Sequence, residues 1–185
     1  MRYVEPIREK DWLEEFLNYF KENSMRDYVM FMVGIHTGLR ISDILPLKKR
    51  DVLGTHIMIF EKKTGKQKRF IIPSPLRKVL DEYIKDLRNT DYLFESQKKT
   101  NTGKPKPIDR TRAYRIIQEA AEAIGYPEPI GTHSMRKTFG YTFYSKYKEV
   151  ASLMKIFNHS KETTTLFYIG VGQDTLDEKI AGLYR

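Results

Sequence analysis

Residues 131–168 read GTHSMRKTFGYTFYSKYKEVASLMKIFNHSKETTTLFY. The stretch holds His133 and Arg136 three residues apart, a second histidine at His159, and a tyrosine nine residues later at Tyr168. Thr132 or Ser134 can cap a helix that carries His133 and Arg136. Met135, Phe139 and Phe143 recur four apart on a neighbouring stripe and seat that helix in the core. His133 and Arg136 then project together from the helix start, where unpaired amides favour an anion. A short helix follows over residues 149–157. Asn158-His159-Ser160 reads as a turn, with Ser160 able to cap the next segment. Two imidazoles, a guanidinium and a phenol are a set that can attack a phosphodiester without a metal.

Downstream, Gly170 and Gly172 loosen the chain after Tyr168. Leu176, Ile180 and Leu183 form a small amphipathic helix within a tail spanning residues 173–185. Upstream, residues 11–21 read as a first helix, with Trp12, Phe16, Tyr19 and Phe20 at helical spacing. Ser24 and Asp27 resemble a capping box ahead of a second, strongly apolar helix. Gly38 can end that helix, and residues 41–45 can form a short one that stops at Pro46. Arg40 and Asp43 then share a face, so the carboxylate can brace the guanidinium. At that spacing such a pair is ordinarily a surface ion pair of little consequence.

Residues 56–60 (HIMIF) and 69–73 (RFIIP) are β-rich runs joined by KKTGKQK, with Gly65 suited to a hairpin turn. The turn carries Lys62, Lys63, Lys66 and Lys68, a solvated tip that can also meet phosphate. Ser74 as N-cap and Pro75 as the first helical residue begin a helix carrying Leu76, Val79, Leu80, Tyr83, Ile84 and Leu87 on one stripe. Residues 92–94 are a short buried segment, and residues 98–107 (KKTNTGKPKP) a basic loop that includes Lys104. Asp109 can cap a helix running to about Ile124, with Arg110, Arg112 and Arg115 near its start. That loop and helix are candidates for nonspecific contacts to a nucleic-acid backbone.

The chain has 185 residues, no cysteine and a formal net charge of +9, with pI about 9.5 and mean hydropathy −0.56. One domain of mixed α+β class is expected, mostly helical with a small antiparallel sheet at one edge. Disulfides and thiolate–metal sites are excluded, and the absence of cysteine fits a reducing compartment, the cytoplasm. No apolar run is long enough to span a bilayer, and the first sixteen residues have no signal-peptide core. A basic balance favours a polyanionic partner, nucleic acid first. No carboxylate cluster suggests a two-metal site.

Four boxes carry a resemblance: TGLRISDILPLK, KTGK before a strand, HSMRKTFG, and NHSKETTTLFY. In this order and spacing they resemble the catalytic domain of the tyrosine recombinase (phage integrase) family, over almost the whole chain. The resemblance implies that Tyr168 attacks a DNA phosphodiester, forms a 3′-phosphotyrosyl bond and releases a 5′-hydroxyl. It implies that Arg40 and Arg136 hold the non-bridging oxygens and that His133 is the base or orienting partner of the phenol. Lys63 would protonate the leaving oxygen, His159 would donate a hydrogen bond to the phosphate, and Asp43 would brace the site around Arg40. Lys62 or Lys66 reaches the same phosphate if the hairpin register differs. Tyr141, Tyr144, Tyr147 and Tyr184 lie nearby but lack the context of Tyr168, and His36 and His56 match no box.

The partner implied is double-stranded DNA, bound by a tetramer during reaction, while the protein free of DNA can be a monomer. No metal, nucleotide or other cofactor is implied, since one phosphodiester is exchanged and then restored. Family members commonly carry an N-terminal core-binding domain, and here the catalytic pattern starts almost at Met1. Two other readings use the same charge: a DNA-binding module that does not cleave, and a topoisomerase IB-like enzyme that nicks and reseals one duplex.

Overall fold

The computed structural model describes residues 4–60, 67–172 and 180–183. Helices α1 (Lys10–Asn23), α2 (Met25–Thr37) and α3 (Ile41–Ile44) lead into strands β1 (His56–Phe60) and β2 (Gln67–Ile71). Helices α4 (Ser74–Tyr83), α5 (Arg110–Ile124), α6 (Thr132–Tyr147), α7 (Val150–Phe157) and α8 (Glu162–Tyr168) complete the order. The strands form a two-stranded antiparallel sheet in which Met58 faces Arg69 and Phe60 faces Gln67. The expected class, helical with a small edge sheet, is the observed one.

Helix α2 is the hub. Its run Val29–Val33 is buried without a polar break, so it must be covered on several sides, and it packs against α1, α4 and α6. Phe16 and Phe20 of α1 stack on Phe31 of α2. Ser24 caps α2, its hydroxyl accepting from Asp27 N at 3.3 Å. Gly38 closes α2 in the left-handed region at φ 64°, where a side chain is strained, and a Cβ there would also collide with the Phe139 ring. Asp109 caps α5 as expected, accepting from Arg112 N at 2.7 Å.

Several local expectations change. The N-cap of α4 is Pro73, so Ser74 begins the helix and Pro75 is its second residue, still among the amides that need no intrahelical partner. The helix ends at Tyr83, and Ile84 and Leu87 follow in a turn. The N-cap of α6 is Gly131, whose amide donates to Ser134 Oγ at 3.1 Å; Ser134 closes the cap from inside the helix. Helix α8 starts after Lys161 and takes no side-chain cap from Ser160. Helical boundaries here follow where buried apolar residues lie, and local capping propensity yields to them.

A second, smaller core is built by Leu153, Phe157 and Ile169, with Phe139, Phe143 and Tyr168 packed around it. It joins α6, α7 and α8. Of the expected tail helix, Leu176 lies outside the described residues, and Ile180 and Leu183 are exposed. No described helix is long and apolar enough to cross a membrane.

Candidate active site

The second core places Tyr168. Helix α8 has only seven residues, too few to hold together alone, so packing sets its position. Tyr168 is its last residue, and its ring meets Phe157 edge-on at 5.4 Å and His159 at 5.3 Å between centroids. From α6, His133 Nδ1 comes within 3.4 Å of the Tyr168 hydroxyl.

Arg136 is 4 % exposed, and this differs from the expectation that it projects freely beside His133. Its Nη1 donates to the Gly38 carbonyl and its Nη2 to the Phe157 carbonyl at 3.2 Å, while the guanidinium lies 4.2 Å from the Phe157 ring centroid. One side chain therefore ties the end of α2, the end of α7 and α6 together. A guanidinium suits this because its planar fork serves several acceptors at once. Burial brings its pKa down to about 10, with the Arg40 charge adding to that and the Tyr168 phenol and Asp43 opposing it.

Arg40 is the N-cap of α3 and is exposed. Its charge reaches His133, Arg136, His159 and Tyr168, which locates it at the same site. Arg40 and Asp43 form no ion pair with each other; Asp43 accepts from the Ser42 hydroxyl at 3.4 Å, and its charge favours the ionised form of Arg136. The Asp43 charge is thus felt at Arg136.

The electrostatics set the protonation states. Burial, then the charges of Arg136, Arg40, Lys137 and Arg110, hold the His133 pKa below its usual value, so its imidazole is neutral at pH 7. Burial pushes the Tyr168 phenol up, and Arg136 and Arg40 offset only part of that rise. A protonated phenol thus lies beside a neutral imidazole that can accept its proton. His159 is also held low by burial and the two arginines. Its Nδ1 lies 3.1 Å from Thr165 Oγ1, which also reaches the Lys161 carbonyl at 3.3 Å. Thr165 has one hydroxyl proton. When that proton goes to His159 Nδ1, the other ring nitrogen carries hydrogen and can donate outward.

Of the six expected catalytic residues, Arg40, His133, Arg136, His159 and Tyr168 come together. Lys63 lies outside the described residues, as do Lys62 and Lys66. Lys68 sits on β2 opposite Ile59. Arg110 joins the site electrostatically through His133, whereas Arg112 is paired with Glu119 at 2.8 Å and Lys104 is exposed in the 100–104 turn. Among the described residues, no three His, Asp or Glu side chains are grouped as metal ligands would be. Sequence reasoning passed over Lys137, which is buried on α6 with its ammonium 5.4 Å from the Tyr168 ring centroid. Lys137 lies off the stripe of Met135, Phe139 and Phe143, so periodicity gave no sign of its burial. The Gly38 and Phe157 carbonyls carry no signal in side-chain identity.

A family model described as the phage integrase family matches residues 8–173. The chain is 44 % identical over 176 residues to the probable integrase/recombinase YoeC of Bacillus subtilis (strain 168), covering 95 % of this chain and 94 % of that relative. It spans about half the length of the next curated relatives it matches. Its fold superposes on the crystal structure of XerA recombinase with a TM-score of 0.75 at 20 % identity, covering 100 % of this chain and 67 % of that one. XerH site-specific recombinase, solved in a post-cleavage complex with palindromic difH substrate, gives 0.71 at 19 % identity, covering 98 % and 54 %. At these identities the structural likeness speaks to the fold alone: that of a tyrosine recombinase catalytic domain.

Proposed function

Because this chain belongs to the phage integrase family of tyrosine recombinases, we propose that it breaks and rejoins double-stranded DNA at specific sites through Tyr168. The phenol oxygen bonds to phosphorus as the bond from phosphorus to the 5′-oxygen breaks. The phenol proton passes to His133, and the leaving 5′-oxygen takes a proton from the hairpin, where Lys63 is the assigned donor. Arg40 and Arg136 neutralise the oxygens of the pentacovalent transition state, and His159 adds a hydrogen bond. Attack by the 5′-hydroxyl of another strand on the phosphotyrosyl bond reverses the steps, so the bond energy is conserved and no nucleotide is consumed.

The observation that carries this reading is the 3.4 Å approach of a neutral His133 to a protonated Tyr168 beside two arginine charges. The +9 charge supports a DNA partner. Recombination of two duplexes by a tetramer, in the cytoplasm, belongs to the same proposal.

The test is covalent trapping. The protein is mixed with a pool of nicked, randomised duplexes and quenched in SDS, and protein-linked strands are sequenced, with Tyr168→Phe alongside. A 3′-linked adduct absent from the variant is expected. Salt-sensitive DNA binding without an adduct would instead mark a binding module, and neither binding nor adduct would sink the proposal.

A further inference from the structure

The segment Val4–Arg8 lies along α6 like a strap. Glu5 N donates to the Pro129 carbonyl at 2.7 Å, and Ile7 N to Thr138 Oγ1 at 2.9 Å, with the Ile7 side chain buried in the main core. Lys137, 5 % exposed, donates its Nζ to the Val4 carbonyl at 2.7 Å. Arg8 pairs with Glu5 at 2.7 Å and donates to the Gly170 carbonyl at 3.3 Å. Gly170 is so close that a Cβ there would meet Arg8 Nη2 at 2.6 Å and Pro6 Cδ at 3.2 Å. Gly170, at φ 75° where a side chain is strained, leaves room for Arg8 and Pro6 to lie against it.

Both fasteners end at the nucleophile. Lys137 reaches from the strap to the face of the Tyr168 ring, and Arg8 holds the carbonyl two residues beyond Tyr168. A seven-residue helix does not fix its own last turn. An ammonium that stays in the core needs the Val4 carbonyl, with Glu5 nearby favouring its charge. The strap, Lys137 and the end of α8 thus stand or fall together.

We propose that Val4–Arg8 is a positioning strap for the nucleophile, acting through Lys137 on the Tyr168 ring and through Arg8 on the chain just after it. Lys137 and Arg8 are positioning residues, not participants in bond making. The inference rests on Tyr168 being the nucleophile.

The test uses the full chain with fluorotyrosine at position 168, in wild type, Lys137→Met, Lys137→Arg and Arg8→Gln. Lys137→Met keeps most of the buried volume; Arg8→Gln is a milder change at an exposed site and decides the question if Lys137→Met does not fold. Three quantities are read: the fluorine resonance, the rate of adduct formation on nicked duplex, and DNA affinity in a Tyr168→Phe background. The strap predicts a displaced or broadened resonance in Lys137→Met and Arg8→Gln, and cleavage slower by roughly ten- to a hundredfold. DNA affinity should stay within about twofold, and Lys137→Arg should recover part of the rate. An unchanged resonance and rate in Arg8→Gln and in any folded Lys137 variant would overturn it. If the wild type forms no adduct, the recombinase reading fails, and the fluorine resonance still decides whether the strap governs the ring.

Discussion

His133 Nδ1 lies 3.4 Å from the Tyr168 hydroxyl although the two residues are 35 apart in sequence. The pair joins the first turn of α6 to the last residue of α8. Since His133 titrates below the usual imidazole value, it is neutral and able to accept a proton at pH 7. Lowering the pH through that depressed pKa protonates the base, so cleavage should fall on the acid side and plateau above it. Single-turnover adduct formation against pH checks this. His133→Gln should cut the rate by about 10² or more and flatten the acid limb.

The two arginines should separate by stability. Arg136 is buried and donates to two carbonyls from distant segments. Arg136→Lys leaves one carbonyl unserved, and a loss of about 2–3 kcal/mol in folding stability is expected along with cleavage. Arg40 is exposed, so Arg40→Lys should lose cleavage with stability changed by no more than about 0.5 kcal/mol. Urea unfolding and adduct yield, measured on both variants, decide it.

Thr165 should act through His159. Thr165→Val keeps the buried shape and removes the hydroxyl between His159 Nδ1 and the Lys161 carbonyl. About 1 kcal/mol of stability should go, and slower cleavage should follow from the lost orientation of the ring. Thr165→Ser should restore both. NMR of the His159 ring nitrogens reads the change in tautomer directly.

Gly140 sits where α6 meets the nucleophile's cluster. A Cβ there would lie 2.6 Å from Ile169 Cγ2 and 2.8 Å from the Phe157 ring. Gly140→Ala should therefore destabilise by about 1–3 kcal/mol and displace Tyr168, which adjoins Ile169. Gly54→Ala, with nothing within 4 Å, is the matched control and should melt like the wild type.

The assignment of Lys63 is testable by changing the leaving group. Lys63→Ala should slow cleavage of ordinary DNA by about 10² or more. A substrate with sulfur in place of the bridging 5′-oxygen needs no proton to leave, and its cleavage should be nearly indifferent to the variant. If Lys62→Ala or Lys66→Ala behaves this way instead, the acid belongs to that position.

Arg40, His133, Arg136, His159 and Tyr168 could be named from the sequence because the boxes that carry them resemble, in order and spacing, those of the tyrosine recombinase family. The apolar faces of α1, α2 and α4 were legible because helical periodicity is a local property. The caps of α4, α6 and α8 were misplaced because several residues could satisfy the same amides, and packing chose among them. What Arg136 bonds to, which arginine feels the Asp43 charge, and the reach of Lys137 from Val4 to Tyr168 were decided by the tertiary structure alone. Those contacts join residues 21 to 133 positions apart, three of them through backbone carbonyls, and a carbonyl is the same in every residue. The sequence by itself thus determined which groups are candidates for the site. Their protonation states and alignment arise only when folding removes water from around them and brings the arginine charges into reach.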